Sequence, residues 1–182
     1  MVDVTPKEAT HRRAMARCKV FMLPETTAKV ASNAITKGDV LGSARIAGIQ
    51  ASKRTSDMIP LCHPLLVGAV HINFTIGDDY VEIESQVETV DRTGVEMEAL
   101  MACSVAALTV YDMCKSSDRS MVIGELALWE KIGGRSGHWR RGAGSLPGPV
   151  NAAAAPAAAA PTSSGDSLAA IDAVLEEGPL GE

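Results

Sequence analysis

Two runs near the middle of the chain alternate between apolar and polar residues. They read AVHINFTI at residues 69–76 and YVEIESQVETV at 80–90, and the three residues between them, GDD, favour a turn. This pattern predicts an antiparallel hairpin. One face of the second run carries Val81, Ile83, Ser85 and Val87. Its other face carries three glutamates and a glutamine, so we expect that face to meet water.

The strongest helical signal covers residues 92–115, RTGVEMEALMACSVAALTVYDMCK. Its middle is apolar nearly all round, which indicates a helix buried on more than one side. Thr93 and Glu96 have the spacing of a capping box, which predicts that this helix opens at Thr93. Another long helix is predicted to start after Asp39 as its N-cap and to stop before Pro60.

The remaining pattern completes an α+β fold. A strand is predicted over 15–23, a helix from Pro24 and a last strand over 120–130. The order strand, helices, strand, strand, helix, strand is the ferredoxin-like βαββαβ plan, with an extra helix in the first crossover. We therefore predict a sandwich of helices on one antiparallel sheet.

Composition changes at Gly142. Residues 142–182 begin GAGSLPGPVNAAAAPAAAAPTSSGD, which is rich in Ala, Pro, Gly and Ser and has no pattern that buries a core. We therefore expect one folded domain over 1–141 and a disordered low-complexity tail. Within the tail, residues 167–177 carry the pattern of a short helix that is marginal without a partner.

Charge and cysteine usage narrow the function classes. All 17 lysines and arginines lie in residues 1–141 beside 17 of the 22 acids, and a neutral domain argues against a general nucleic-acid surface. The four cysteines form no C-x-x-C pair and no run of about 18 apolar residues is evident, so we expect free thiols, a cytoplasmic location and no membrane association. Aromatic residues are only 3%, and small core residues suit contact between identical subunits.

His63 lies between two prolines in the run IPLCHPL. The prolines fix the backbone and exclude a regular helix, so the imidazole is held at the edge of a core, where it suits proton transfer or ligand contact. A histidine hydrogen-bonded for structural reasons is the alternative. Metal binding is disfavoured because no C-x-x-C or H-x-x-H pattern accompanies His63.

Five cationic or acidic positions are further candidates. Asp112 and Lys115 are three residues apart on one helical face, where they form either an ion pair that tunes protonation or an ordinary surface pair. Lys37, in KGD before a helix, suits an anion site or is a solvated loop lysine. Lys53 is a phosphate contact or part of a polar face. Arg135, in the loop GGRSG, suits a phosphate, although the P-loop pattern is missing.

Seven blocks occur in consistent order along about residues 1–141: MVDVT, KGDV, ARIAGIQASKRT, IPLCHPL, TGVEMEAL, SVAALTVYDMCK and MVIG. Together they closely resemble the MoaC family, the cyclic pyranopterin monophosphate synthases of molybdenum cofactor biosynthesis. The resemblance implies a lyase that converts 3′,8-cyclo-7,8-dihydroguanosine 5′-triphosphate to cyclic pyranopterin monophosphate and releases pyrophosphate. It also implies ferredoxin-like subunits in a homohexamer, a trimer of dimers with active sites at subunit interfaces.

The resemblance implies two sets of site residues. The catalytic set is Lys37, His63, Asp112 and Lys115. The substrate-contact set is Asp3, Arg12, Leu61, Cys62, His63, Met97, Glu98 and Arg135, and Lys53 is predicted with Arg12 and Arg135 as a contact of the triphosphate. Family members often carry lysine at the position of Arg135. Since arginine effectively never releases its proton, we expect phosphate contact there and no proton transfer.

The chemistry implied by the resemblance needs several proton donors and acceptors around one triphosphate. Asp112 would be a general acid or base whose charge state Lys115 sets. Lys37 would transfer a second proton or stabilise the leaving phosphate, and His63 would bind the ring or shuttle a proton. No cofactor is expected, although Mg²⁺ can accompany the triphosphate. The alternatives are a non-catalytic nucleotide-binding or scaffold subunit of the same fold, and a different nucleotide lyase or cyclohydrolase.

Overall fold

One five-stranded sheet carries helices between its strands in the computed structural model, which describes residues 1–142. The predicted tail, apart from Gly142, and the predicted helix over 167–177 lie outside the described residues. The elements are, in chain order, β1 (Thr10–Phe21), α1 (Pro24–Ala31), α2 (Val40–Ser52), α3 (Thr55–Met58), β2 (Ala69–Ile76), β3 (Tyr80–Asp91), α4 (Glu96–Cys114), β4 (Val122–Ile132) and β5 (Trp139–Arg140).

The strand order in the sheet is β2-β3-β1-β4-β5, and every neighbouring pair is antiparallel. The predicted hairpin is formed by β2 and β3, with Ala69 opposite Glu88 and Ile76 opposite Val81. Helices α1 to α3 fill the first crossover and α4 fills the second. The prediction of an α+β, ferredoxin-like fold with additional helix in the first crossover is therefore confirmed. The short β5, which pairs with the end of β4, was not predicted.

The core lies between the sheet and α4. The fully buried side chains of β1 and β3 that face α4 include Ala14, Ala16, Cys18, Val20, Val81, Ile83, Ser85 and Val87. The helix meets them with alanines and a cysteine, and the sulfur atoms of Cys18 and Cys103 lie 3.1 Å apart. Ser85, the one polar residue of the predicted inner face of β3, donates its hydroxyl to the carbonyl of Ala99 at 2.7 Å. Small side chains thus allow a close approach of helix and sheet.

The opposite face of β3 is less wet than its acidic residues suggest, because basic side chains of β1 cover it. Arg17 lies beside Glu84, with 2.6 Å between Nη2 and Oε2, and also stacks on the ring of Trp129 at 4.9 Å. The glutamates of this face are accordingly only partly exposed.

Helix α4 is apolar for a structural reason. Its 19 residues and mean hydropathy of 1.3 would suffice to cross a membrane by length and composition, although no uninterrupted apolar run is visible in the sequence. Half of that stretch is buried inside the protein, against β1, β3 and β4 on one side and α2 on another. The composition therefore reflects a helix packed between two layers, as predicted.

Several boundaries differ from the prediction. Helix α4 begins at Glu96, and its N-cap residue is Val95, which is 1% exposed and makes no side-chain cap. The capping box at Thr93 is thus wrong, because burial of Val95 in the core sets where the helix starts. Strand β1 starts earlier than predicted, at Thr10, which pairs with Asp91 of β3.

Helix α2 is shorter than predicted but starts as predicted. Asp39 caps it, with Oδ1 accepting from the amide of Gly42 at 2.8 Å. It ends at Ser52 and the separate turn of α3 follows, because hydroxyls compete for the last carbonyls. Ser52 donates to the carbonyl of Ile49 at 2.9 Å, and Thr55 to that of Ser52 at 3.1 Å.

The close crossing of α2 and α4 at Gly48 yields a test of the packing. A Cβ on Gly48 would contact Cδ1 of Ile72 and lie 2.7 Å from the backbone oxygen of Ala102, which cannot move alone. We expect Gly48→Ala to lower the free energy of unfolding by about 1–3 kcal/mol. At an exposed helix position alanine would instead be more favourable than glycine by about 1 kcal/mol. Urea unfolding measures the change. The control is Gln50→Ala on the exposed side of α2, with an effect within about 0.5 kcal/mol. A Gly48→Ala protein as stable as wild type would contradict the packing argument.

Candidate active site

Three of the four predicted catalytic residues meet at the C-terminal end of α4. The carboxylate of Asp112 accepts from both amines, with 2.7 Å from Oδ1 to Nζ of Lys115 and 2.7 Å from Oδ2 to Nζ of Lys37. Lys37 also donates to the backbone carbonyl of Asp112 at 3.0 Å. We call Lys37, Asp112 and Lys115 the lysine–aspartate cluster. Its side chains are 44% to 55% exposed, so a ligand can reach them.

Local sequence explains how Lys37 arrives at this helix end. Each residue of the KGD motif has a separate task. Gly38 has a φ of +97°, a conformation that favours glycine, and its amide donates to the carbonyl of Ile35 at 2.9 Å. Asp39 then caps α2. The sharp turn between Ile35 and the start of α2 leaves the side chain of Lys37 free to extend toward α4.

The two lysines control the charge of Asp112. The hydrogen bond from Lys115, followed by that from Lys37, lowers the pKa of Asp112 to about 2. The same contact with Asp112 raises the pKa of Lys115 above its ordinary value of 10.5. At neutral pH the cluster therefore holds an ionised carboxylate between two lysine side chains.

His63 lies in the irregular segment between α3 and β2, in agreement with its flanking prolines. Its ring Nε2 donates to the carbonyl of Val2 at 2.8 Å, which ties this segment to the N-terminal residues. The pKa of Asp3 is lowered mainly because its Oδ1 accepts from the amide of Thr5 at 2.8 Å, and the nearby His63 lowers it further. The bond to Val2 agrees with the alternative that His63 is hydrogen-bonded for structural reasons. A catalytic role of His63 therefore stays a prediction.

Cys62 lies close to Glu98 at the first turn of α4. Burial raises the pKa of Cys62, and the charge of Glu98 raises it further. Glu98 is itself 4% exposed, and burial is the main cause that raises its pKa. Met97 is partly exposed and Leu61 is largely exposed. We call Asp3, Cys62, His63 and Glu98 the histidine group.

A basic cleft of about 910 Å³ opens beside the first turn of α4. Its cationic lining residues are Lys7, Arg12, Arg13, Arg92, Lys131 and Arg135, against two glutamates, Glu8 and Glu96. Such an excess of positive charge in a concave site attracts polyanions. Two predicted phosphate contacts, Arg12 and Arg135, therefore share one space.

Arg12 is held in this cleft by backbone geometry. Its Nε donates to the carbonyl of Asp91 at 3.3 Å, and its guanidinium lies against Gly134. Gly134 has a φ of +75°, and a Cβ there would collide with Nη1 of Arg12. Glycine is therefore required at this position for both reasons.

Within one chain, the candidate residues lie at opposite ends of α4. Glu98 is in its first turn and Asp112 in its last, 14 residues apart, which corresponds to about 21 Å along the helix axis. Lys53, at the C-cap of α2, is at the far end of that helix from Lys37. The structure thus brings Lys37, Asp112 and Lys115 together but leaves His63 and Lys53 away from them.

Sequence reasoning missed four cations of the cleft: Arg13, which follows Arg12 in β1, and the three residues Lys7, Arg92 and Lys131. Isolated basic residues at strand ends and in loops are ordinarily solvated, and none of these three belongs to a spacing with chemical meaning. Lys131 lies two residues before the glycine pair of GGRSG, and its amine donates to the hydroxyl of Ser136. Only the folded chain shows that the three line one space.

A sequence model of the MoaC family matches residues 1–134. The chain belongs to the MoaC family. A protein of Heliobacterium modesticaldum named cyclic pyranopterin monophosphate synthase is 56% identical over 143 residues, which are 78% of this chain and 90% of that protein. A protein of the same name from Thermomicrobium roseum is 57% identical over 143 residues, 78% of this chain and 86% of that protein.

The MoaC match covers every candidate site residue except Arg135, which lies one residue beyond its end. The lysine–aspartate cluster, the histidine group and Arg12 all lie inside the matched part. The family match therefore covers the whole of the site described above, apart from Arg135 and Ser136 in the lining of the basic cleft.

The pKa of Asp112 offers a direct test of the cluster. We expect Lys115→Ala to raise it more than Lys37→Ala does, because Lys115 is the larger cause of the shift. Since the folded-state pKa lies below the ordinary 3.8, the contacts stabilise the folded state above pH 3.8, and this contribution is lost as pH falls from 3.8 toward 2. A ¹³C NMR titration of the carboxyl group measures the pKa. The control Lys29→Ala changes an exposed lysine of α1 and should leave it at about 2. Titration of the wild-type carboxyl at its ordinary pKa would show that the amines do not hold it.

Proposed function

We propose that this chain is a cyclic pyranopterin monophosphate synthase, an enzyme of the lyase class in molybdenum cofactor biosynthesis. Its substrate would be the small molecule 3′,8-cyclo-7,8-dihydroguanosine 5′-triphosphate, and its products the cyclic monophosphate and pyrophosphate. Family membership and the names of two relatives at 56% and 57% identity support this activity. No observation favours a non-catalytic scaffold.

The observation that carries the proposal is the ionised Asp112 held between two lysine amines. Rebuilding the ring system moves protons on and off nitrogens and hydroxyls, and closing the cyclic phosphate expels pyrophosphate. In the free protein a carboxylate with a pKa of about 2 is a weak base. We therefore assign Asp112 to orient the amines. Lys115, whose pKa is raised by the hydrogen bond to Asp112, stabilises developing negative charge, and Lys37 transfers a proton or stabilises charge at the leaving phosphate.

The basic cleft suits the triphosphate. Arginine forms bidentate contacts with phosphate oxygens, and Arg12 and Arg135 both line this space. Lys131 is a further cation on the same wall. Met97 and Glu98 lie in the first turn of α4 next to the cleft, where they would contact the ring system together with His63. Lys53, exposed at the C-cap of α2, is a further proposed phosphate contact.

The distance along α4 supports an assembly in which one site uses two subunits. Proton transfer needs groups within about 3 Å of the reacting atoms. The lysine–aspartate cluster and the histidine group cannot both meet this requirement within one chain, because about 21 Å of helix separates them. We therefore propose a homohexamer, a trimer of dimers, in which the cluster of one subunit faces the cleft and histidine group of a neighbour.

A resident metal ion does not fit the residues present. Within residues 1–142, no group of three His, Cys, Asp or Glu side chains gathers that could hold a metal ion. We propose that the enzyme needs no cofactor of its own and that Mg²⁺ enters only with the triphosphate. A cytoplasmic location is also proposed. It is supported by the four cysteines, which are free thiols.

Turnover of the authentic substrate tests the function. Full-length protein incubated with the cyclic dihydro-GTP is expected to yield the pterin product and pyrophosphate, both measured by mass analysis. Asp112→Asn and Lys115→Ala should each lower turnover by at least about 100-fold while the assembly elutes unchanged in size-exclusion chromatography. Lys29→Ala is the matched control and should keep wild-type turnover. Another product would favour a different nucleotide lyase or cyclohydrolase, and an active Asp112→Asn enzyme would refute the role of the cluster.

Mixed assemblies test the shared site. Asp112→Asn and His63→Ala subunits are each expected to be inactive alone. When they are co-expressed, activity should return in part, because some interfaces would pair an intact cluster with an intact histidine. The control mixture combines Asp112→Asn with Lys115→Ala, two changes in the same cluster, and should stay inactive. No recovery in the first mixture would contradict a site built from two subunits.

A further inference from the structure

We propose that Asp118 is a positioning residue for the lysine–aspartate cluster, a role that rests on the proposed function. Asp118 lies in the turn between α4 and β4, three residues after Lys115. Its side chain is buried, with 4% exposed. A carboxylate is kept in such a place only when hydrogen bonds replace the water it has lost.

The hydrogen bonds of Asp118 join two distant parts of the chain. Its Oδ2 accepts from the amide of Leu23 at 2.8 Å. Its Oδ1 accepts from the amide of Ser120 at 2.8 Å and from the hydroxyl of Ser120 at 2.6 Å. These donors, the amide of Leu23 first, lower the pKa of Asp118. The group is therefore a carboxylate that uses both oxygens.

The two joined segments are those that present the two lysines. Leu23 is the N-cap residue of α1, and the chain continues from α1 through residues 32–36 to Lys37. On the other side, the amides of Ser117 and Asp118 bond to the carbonyl of Cys114 at 2.8 Å and 3.1 Å, which closes the turn onto the end of α4 beside Lys115. One buried carboxylate thus connects the backbone behind Lys37 with the backbone behind Lys115.

The ion pairs of the lysine–aspartate cluster cannot by themselves set the distance between the segments that carry Lys37 and Lys115. These ion pairs join side chains that are about half exposed, and water and salt weaken such pairs until they contribute little. The bonds of Asp118 are sheltered from water and include two backbone amides. Ile35 and Val40 anchor the loop of Lys37 on the core, since each is almost fully buried. Asp118 fixes α1, from which that loop starts, to the end of α4.

Asp118→Asn tests the proposal at nearly unchanged size. An amide presents its NH₂ group either to the amide of Leu23 or to Ser120, so one side of the connection is lost. We expect kcat to fall about 10- to 100-fold, because a small displacement of reacting groups has effects of that size. KM should stay within about threefold, since substrate binding uses the cleft near the other end of α4. An unchanged kcat, or a higher KM with unchanged kcat, would overturn the proposal.

Two further variants separate positioning from general loss of stability. Ser85→Ala removes a buried hydroxyl bond in the core, far from the cluster. It should keep the wild-type kcat when it is assayed at a temperature at which both variants are folded. Ser120→Ala removes only the hydroxyl bond to Asp118 and should lower kcat by less than Asp118→Asn does. If Asp118→Asn does not fold, the comparison of Ser120→Ala with Ser85→Ala decides. Equal kcat values in those two variants would then overturn the proposal.

A crystal structure of Asp118→Asn gives a readout independent of turnover. We expect Nζ of Lys37 to lie beyond about 4 Å from the carboxylate of Asp112, the limit of an ion pair. Contacts that remain at the wild-type 2.7 Å would overturn the role of Asp118. If the wild-type protein forms no product, the proposed function fails, and this distance alone decides whether Asp118 positions the lysines.

Discussion

The whole arrangement depends on the burial of α4 between the sheet and α2. Alanines and a cysteine let the helix lie close to β1 and β3, and Gly48 lets α2 cross it at backbone distance. Such close packing leaves few alternative positions for the helix, because a well-packed interior transmits any shift to its neighbours. Both ends of α4 are therefore fixed relative to the sheet, and both ends carry candidate chemistry.

The two ends of α4 have different electrostatic character. At the C-terminal end, exposed lysines keep Asp112 ionised, and Asp112 in turn raises the pKa of Lys115. At the N-terminal end, Glu98 is buried and its pKa is raised, next to a cleft with a surplus of arginine and lysine. A synthase that releases pyrophosphate needs both kinds of environment, one to hold phosphates and one to supply protons. Their separation by a rigid helix is the physical reason for proposing a site shared by neighbouring subunits.

The lysine–aspartate cluster is held in place by residues that do not face the ligand. The exposed ion pairs are sensitive to water, whereas the buried carboxylate of Asp118 is not. The same division occurs at the cleft, where Gly134 and the carbonyl of Asp91 hold Arg12 in place. In both places a residue that faces the ligand is oriented by one that does not, and sequence spacing offers no sign of the second kind.

The sequence by itself determined the element order, the hairpin, the buried character of α4, the Asp39 cap and the pairing of Asp112 with Lys115, because each depends on periodicity or on neighbours within a few residues. It failed at the start of α4, at the end of α2 and at β5, where burial of Val95, competing hydroxyls and a late strand pairing decided the boundary. Only the tertiary structure brought Lys37 to Asp112, placed Arg12 beside Arg135 and separated His63 from the cluster. Those relations join residues far apart along the chain, and their distances are set by how helix and sheet pack, which no local pattern records.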